Sequence, residues 1–223
     1  MAEWNASLIQ IRGEVMILAC CEIESPMNST KEYFLEGPVV SKSLENLNIN
    51  RKLTNFRPAE DQKKALISIS KLPDGMIYIA RSGREIIGYV TFHYPESYFR
   101  WSKHPKVLEL GGIEISPDWR KKGIAEALLK EAFNNPAMEE FIIVTLEFCW
   151  HWDLKGSGLE IFEYQKMLEK LFGMVSLKRR ATDDPDITEH PANVLMVRYG
   201  KRVSTKDIAL FEDMLFEGRA ELH

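Results

Sequence analysis

Residues 107–133 constrain this chain more than any other stretch. They read V-L-E-L-G-G-I-E-I, then S-P-D-W-R-K-K-G, then I-A-E-A-L-L-K-E-A-F. The first run has the composition of a strand, and the second contains a turn. The third is a helix, with Ile124, Ala125, Leu128, Leu129 and Ala132 on one apolar stripe and Glu126 paired with Lys130 on the outer face. Three cations, Arg120, Lys121 and Lys122, stand just before Gly123, where that helix begins. A helix start ordinarily favours negative charge. Its first backbone N–H groups lack intrahelical partners and form a ready anion site. Gly123 lets the backbone approach an anion closely, and Ala125 leaves the first turn unobstructed. Cations that misfit an empty helix start become favourable once a phosphate sits there. An isolated R-K-K-G would read as solvated surface charge; the strand before it and the amphipathic helix after it point to a pyrophosphate site.

The remaining pattern is mixed α and β in one sheet. Tyr33–Leu35 reads as a first core strand, and 46–59 as a polar connection. Residues 59–69 have helical spacing, with Pro58 suited to the start. After the turn L-P-D-G, residues 76–81 and 85–93 form a β-hairpin around S-G-R. F-I-I-V-T-L (141–146) is a strand buried on both faces, 161–172 a helix, and 175–180 and 194–199 two further strands. Ser204, Asp207 and Gly218 cap a last helix with Ile208, Phe211 and Leu215 on one face. Residues before Pro26 form an extension, with an extra strand open over 11–23.

The bulk numbers exclude several classes. The 223 residues suffice for a substantial core, and a net charge of −4 offers no footprint for nucleic acid. V-M-I-L-A-C-C (15–21) falls far short of the ~20 apolar residues that span a bilayer. With no secretory signal pattern, the chain is expected in the cytoplasm. Three cysteines, Cys20, Cys21 and Cys149, are an odd set without metal-ligand spacing, so neither a disulfide framework nor a metal is expected.

Arg120-Lys121-Lys122-Gly123-Ile124-Ala125 resembles the Q/R-x-x-G-x-G/A loop of the GNAT superfamily of acetyl-CoA-dependent N-acetyltransferases. It lacks the Lys-Ser/Thr of a Walker A loop and the glycine triplet of a Rossmann turn. The resemblance implies a GNAT fold, α/β with a mixed central sheet flanked by helices. It divides the chain into an N-terminal extension (1–32), an acetyltransferase domain (33–200) and a C-terminal helical tail (201–223) packed on the domain or a partner. It implies that the N–H groups from Lys122 to Ala125 bind the pyrophosphate of coenzyme A. Arg120 and the lysines would add charge, and the main chain of Ile113–Ile115 would pair with the pantetheine arm.

Acetyl transfer to an amine needs a base, because a free lysine is mostly charged at neutral pH. The strand offers Glu109, in the apolar company of Val107, Leu108 and Leu110, and Glu114; a bulge would change which face each occupies. Glu109 stands eleven residues before Arg120, the offset of the general base in histone-acetyltransferase-like members. Many members carry an acidic tyrosine four residues before a G-F pair; here the pair is Gly173-Met174, Glu169 stands at the tyrosine's place, and Tyr164 is the weak substitute.

F-C-W-H-W-D-L-K-G (148–156) follows the buried strand. Trp150 and Trp152 offer flat walls for a lysine stem, Asp153 a charge for its ammonium and His151 a proton relay; the plainer reading is two core tryptophans and a satisfied histidine. Together with L-T-N-F-R-P (53–58), L-E-L-G-G-I-E (108–114), T-D-D-P-D-I (182–187) and H-P-A-N (190–193), this stretch resembles the acetoin-utilization branch of the superfamily, from about residue 33 to 217. That branch implies a protein substrate, a lysine of acetyl-CoA synthetase, whose acetylation switches the synthetase off. Asp183, Asp184, Asp186 and Glu189 are expected either to steer a basic partner or to lie solvated in a loop. The competing functions are N-acetylation of a small amine and an acetyl-CoA-binding regulator that acts by contact. The start of the chain is open between Met1 and Met27.

Overall fold

The computed structural model describes residues 10–11, 14–15 and 32–217. The chain divides into two compact units, Met1–Lys31 and Glu32–His223. In the first, β1 (Gln10–Ile11) pairs antiparallel with β2 (Glu14–Val15). The remainder of the strand expected over 11–23 lies outside the described residues, as do Cys20 and Cys21.

The second unit is built on an eight-stranded mixed sheet. Its elements are β3 (Phe34–Glu36), α1 (Ser41–Glu45), β4 (Asn48–Ile49), α2 (Ala59–Ile69), β5 (Met76–Ser82), β6 (Glu85–His93), β7 (Val107–Ile115), α3 (Ile124–Phe133), β8 (Ile142–Glu147), α4 (Leu154–Ser157), α5 (Ile161–Gly173), β9 (Lys178–Arg180), α6 (Pro185–Thr188), β10 (Val194–Tyr199) and α7 (Thr205–Met214). The strand order is β3-β5-β6-β7-β8-β10-β9, with β4 beside β6. The hairpin of β5 and β6 closes through Gly83, whose φ of +58° meets the twist of a two-residue loop.

Side-chain parity sends the apolar residues to three clusters. Tyr78, Val90, Phe92, Leu108 and Leu110 pack beneath α3 and α5. Ile77, Ile79, Ile86 and Tyr89 turn the other way and meet α1 and α2 through Leu44 and Leu66. On that second face, Val107, Val144, Leu195 and Val197 are covered by Trp101, Ile187 and Phe211. The sheet is therefore a central layer with helices on both faces, as layer packing requires.

Three local expectations need correction. The connection read over 46–59 contains β4, which pairs in parallel with Glu85 and Ile86, and α1 stands just before it. The strand expected over 175–180 shortens to β9, because the N–H groups of Val175 and Leu177 both bond to the Phe172 carbonyl and Ser176 takes φ +68°. The last helix ends at Met214. Its start is as expected, with Ser204 Oγ accepting from the Asp207 N–H at 3.1 Å, whereas Gly218 lies outside the described residues.

Candidate active site

β7 and β8 run parallel but pair only at Val107–Ile142, Leu108–Ile143 and Glu109–Val144. Beyond Glu109 they part, and among the described residues no strand covers the β8 side of Leu110–Ile115. Backbone groups need partners, so this free stretch of β7 is a pairing edge held inside the molecule. A groove of about 520 Å3 runs beside it, lined by Ile113, Ile115, Arg120, Gly123, Ala125 and Tyr164. A smaller cavity of about 70 Å3 sits in the fork itself, lined by Gly111, Gly112, Glu147, His151, Trp152 and Tyr164.

One bulge decides which side chains face where. Across β6, Thr91 opposes Gly112 but Phe92 opposes Leu110, so Gly111 is the extra residue. Before it, Leu108 and Leu110 point to the α3–α5 face; after it, Ile113 and Ile115 do. Glu109 and Glu114, five apart in sequence, therefore share the opposite face. Glycine at the bulge leaves room for the His93 ring, since a Cβ on residue 111 would stand 2.2 Å from its Nε2 unless the ring moved.

The two glutamates differ in chemistry. Glu114 is buried and spoken for: Oε1 accepts from the Asn55 N–H at 2.9 Å and Oε2 from the Tyr89 hydroxyl at 2.7 Å. Glu109 keeps a buried Oε2 with no hydrogen-bond partner among the described residues. Burial pushes its carboxyl up, His93 across the strand pair opposes that shift, and Glu96 and Glu147 reinforce it. An unpaired carboxylate that readily takes a proton is the better base of the two.

The loop between β7 and α3 alternates its backbone hand. Lys121 takes φ +62° and Gly123 φ +73°. Such alternation turns successive N–H groups into one concavity. Lys121 lines the groove, while Lys122 lies over the Trp119 indole with Nζ 4.8 Å from the ring centroid. Arg120 donates from Nε to the Ile115 carbonyl at 3.1 Å and from Nη1 to Asp153 Oδ2 at 2.6 Å. Asp153, expected to meet a substrate ammonium, is engaged by Arg120 and by the Gly156 N–H at 2.8 Å. The Arg120 hydrogen bond holds its carboxyl below the usual range against the opposing effect of burial. This pair ties the loop to α4 and closes one wall of the groove.

The 148–153 stretch divides between two faces. Trp152 is buried and stacks on Tyr164 at 5.3 Å. Burial pushes the Tyr164 phenol up, opposed by the Asp153 backbone and by Arg120. Trp150 is 52% exposed and stacks on Phe148 at 4.8 Å. His151 stands edge-on to Phe56, Phe148 and Trp150, and its carbonyl accepts from Asn55 Nδ2 at 2.9 Å. Burial pushes the His151 imidazole down, towards its neutral form. Glu169 bonds to Arg179 at 3.3 Å, away from both cavities. The acids expected to face solvent over 182–189 are partly internal: Asp183 and the buried Asp184 pair with Arg100 at 2.6 and 3.1 Å. Among the described residues no cluster of three His, Cys, Asp or Glu is placed to hold a metal.

Glu147 escaped sequence reading. It ends an apolar strand and adjoins an aromatic run that draws the eye; its signal was the alternation Thr145–Glu147 on one face of a strand otherwise apolar on both.

Comparison with known proteins agrees with this geometry. Residues 45–141 match the acetyltransferase (GNAT) family. The acetoin utilization protein AcuA of Bacillus licheniformis is 44% identical over 83% of this chain and 89% of its own. AcuA of Bacillus subtilis is 42% identical over 86% of this chain and 92% of its own. The crystal structure of an acetoin utilization protein from Exiguobacterium sibiricum superposes with a TM-score of 0.85 at 39% identity over 100% of both chains. With the forked sheet, the left-handed loop turns and these relatives in agreement, the chain belongs to the GNAT acetyltransferases, in the family of the AcuA acetoin utilization proteins.

Proposed function

We propose that this acetyltransferase moves an acetyl group from acetyl-CoA to a lysine of acetyl-CoA synthetase in the cytoplasm, inactivating the synthetase and linking that control to acetoin and acetate utilization. Acetyl-CoA lies in the 520 Å3 groove. Its pyrophosphate meets the N–H groups of Lys122–Ala125, its pantetheine pairs with Ile113–Ile115, and its thioester reaches the fork. The four steps of strand from Ile115 back to Gly111 cover ~13 Å, a span suited to an extended arm.

The observation that carries the protein-acceptor reading is the rim around Glu109. Tyr98 is 76% exposed and close enough to feel the Glu109 charge; Phe56, at 37%, lies over Gly112. Trp150 and His151 continue the aromatic surface from the Phe56 side. Exposed aromatics around a recessed base suit a long apolar stem delivered from another protein's surface. Glu109 takes the amine proton, and the free amine attacks the thioester.

The test mixes the chain with acetyl-CoA synthetase and acetyl-CoA and reads intact mass and synthetase activity. One added acetyl group with lost activity is expected. Lost activity without added mass would show regulation by contact, and no change in either would turn the search to small amines.

A further inference from the structure

Glu109 accounts for the proton that leaves the amine, but the reaction has a second proton to place. As the thioester collapses, its C–S bond breaks and sulfur departs as an alkyl thiolate, a basic leaving group. A neutral acid beside the sulfur lowers that barrier.

We propose that Glu147 is the group that returns a proton to the departing coenzyme A thiolate. It is the last residue of β8 and faces the α5 side, opposite to Glu109, because Thr145 Oγ1, two residues back, donates to its Oε1 at 2.9 Å. It lines the 70 Å3 cavity in the fork, and that cavity shares Ile113, Tyr164 and Leu168 with the coenzyme groove. An acetyl thioester drawn along β7 to the fork thus has Glu109 on the face open to the acceptor and Glu147 on the face that holds the coenzyme. The proposal rests on acetyl-CoA occupying the groove, and on no particular acceptor.

Burial raises both carboxyls, and a charge on one favours the proton on the other, so the two sites hold one charge between them more readily than two. Burial pushes Glu147 up; the Thr145 hydroxyl opposes this, as does the Trp152 indole N–H, which points to the carboxyl without completing a hydrogen bond. The other titratable groups lining this cavity are Tyr164 on α5 and His151 in the loop; Glu109 on β7 lies on the opposite face, near enough for the two carboxyls to feel each other's charge. Tyr164 and His151 are both held towards their neutral forms, so no fixed cation offsets a charge on Glu147. Glu109 has His93 across the strand pair to favour its ionised form. The steps balance from the lysine ammonium. Glu109 takes one ammonium proton and passes it to solvent; nitrogen then bonds to the carbonyl carbon and gives its second proton to Glu109, while the C–S bond breaks and sulfur takes the Glu147 proton. Glu109 releases that second proton to solvent and Glu147 regains one through the cavity, so one proton leaves per turnover.

The test compares wild type with Glu147→Gln and Thr145→Val. Calorimetric titration with acetyl-CoA comes first: wild type that fails to bind would sink the groove assignment itself, separately from Glu147. Coenzyme A release is then followed against pH, with acetyl-CoA synthetase as acceptor and with water alone. The expectation for Glu147→Gln is unchanged acetyl-CoA affinity, kcat lower by about 100-fold in both assays, and loss of the alkaline limb of the kcat profile. Thr145→Val, which removes the hydroxyl that favours the charged form, moves that limb to higher pH. The carboxylic-acid carbonyl band in the infrared spectrum at neutral pH is expected to vanish in Glu147→Gln. Wild-type kcat with an intact alkaline limb in Glu147→Gln, an unmoved limb in Thr145→Val, or an infrared spectrum without that difference would overturn the proposal.

Discussion

Glu109, the base of the proposed mechanism, is held in the fold at an energetic cost. Its Oε2 is buried without a partner among the described residues, a state that costs about 1–3 kcal/mol. Burial raises its folded pKa above the unfolded value of about 4.3. The sign follows: between those two pKa values the folded state holds more protons, so the contribution to stability is present in acid and lost as pH rises through the folded pKa. Glu109→Gln removes the charge and keeps the shape. Urea unfolding at pH 8 is expected to show a variant about 1 kcal/mol more stable than wild type, with the difference closing below pH 4. Acetyl transfer is expected to fall by about 100-fold or more. A variant that loses stability at pH 8, or keeps full activity, would remove Glu109 from the role of base. Much at this scale was hidden in the sequence for a physical reason. Glu109 and Glu114 look alike on paper; the Gly111 bulge sets them on one face, and Tyr89 and Asn55 neutralise the usefulness of only one. Glycines carry no burial pattern, so the position of such a bulge cannot be read from alternation. Asp153 likewise read as a free charge because its partner, Arg120, lies 33 residues away.

At the scale of elements the sequence was far more open. β7, α3 and the hairpin of β5 and β6 follow from period-two and 3.6-residue patterns that hold whatever the tertiary contacts. The elements missed or misdrawn are the short ones, α1, β4, α4, β9 and α6, whose few residues cannot establish a period. The loop before α3 was legible in composition but not in conformation: Gly123 was expected to leave room, and it also supplies a left-handed turn. That difference can be measured. No atom stands within 4 Å of a Cβ built on Gly123, so Gly123→Ala meets no clash. Its cost comes from φ +73°, at about 1–2 kcal/mol for a non-glycine residue. Thermal unfolding is expected to show that loss. Titration with coenzyme A is expected to show weaker binding as the N–H groups turn away. Gly123→Asn, which enters the left-handed region more readily, is expected to lose less in both. Equal losses for the two variants would point to crowding of the ligand by any side chain, and away from the backbone.

For the whole molecule, the strongest constraint joins segments that no local pattern connects. Arg100 lies in a turn of 3-10 helix between β6 and β7, and it reaches Asp183, Asp184 and the carbonyl of Met214 at the end of α7. Asp184 is buried, caps α6 with its own carboxylate and borders the cluster around Ile187 and Phe211. These acids were read as candidates for steering a partner because Arg100 is 83 residues from Asp183. In the fold they hold α6 and α7 over the back of β8, the strand whose end carries Glu147. Burial pushes Asp184 up and Arg100 opposes it. Removing the cation leaves a buried, unpaired carboxylate, a change that typically costs about 3–5 kcal/mol. Arg100→Met is therefore expected to be strongly destabilised at pH 7. The sign of its pH dependence is fixed: the folded pKa of Asp184 rises further, so the loss relative to wild type grows as pH climbs from about 4, the unfolded value. Adding Asp184→Asn removes the stranded charge and is expected to return much of the stability at neutral pH while making little difference in acid. A double variant as unstable as Arg100→Met alone would mean that Arg100 acts through its packing and its bond to Met214, and that the charge pair is incidental to the way the sheet is held.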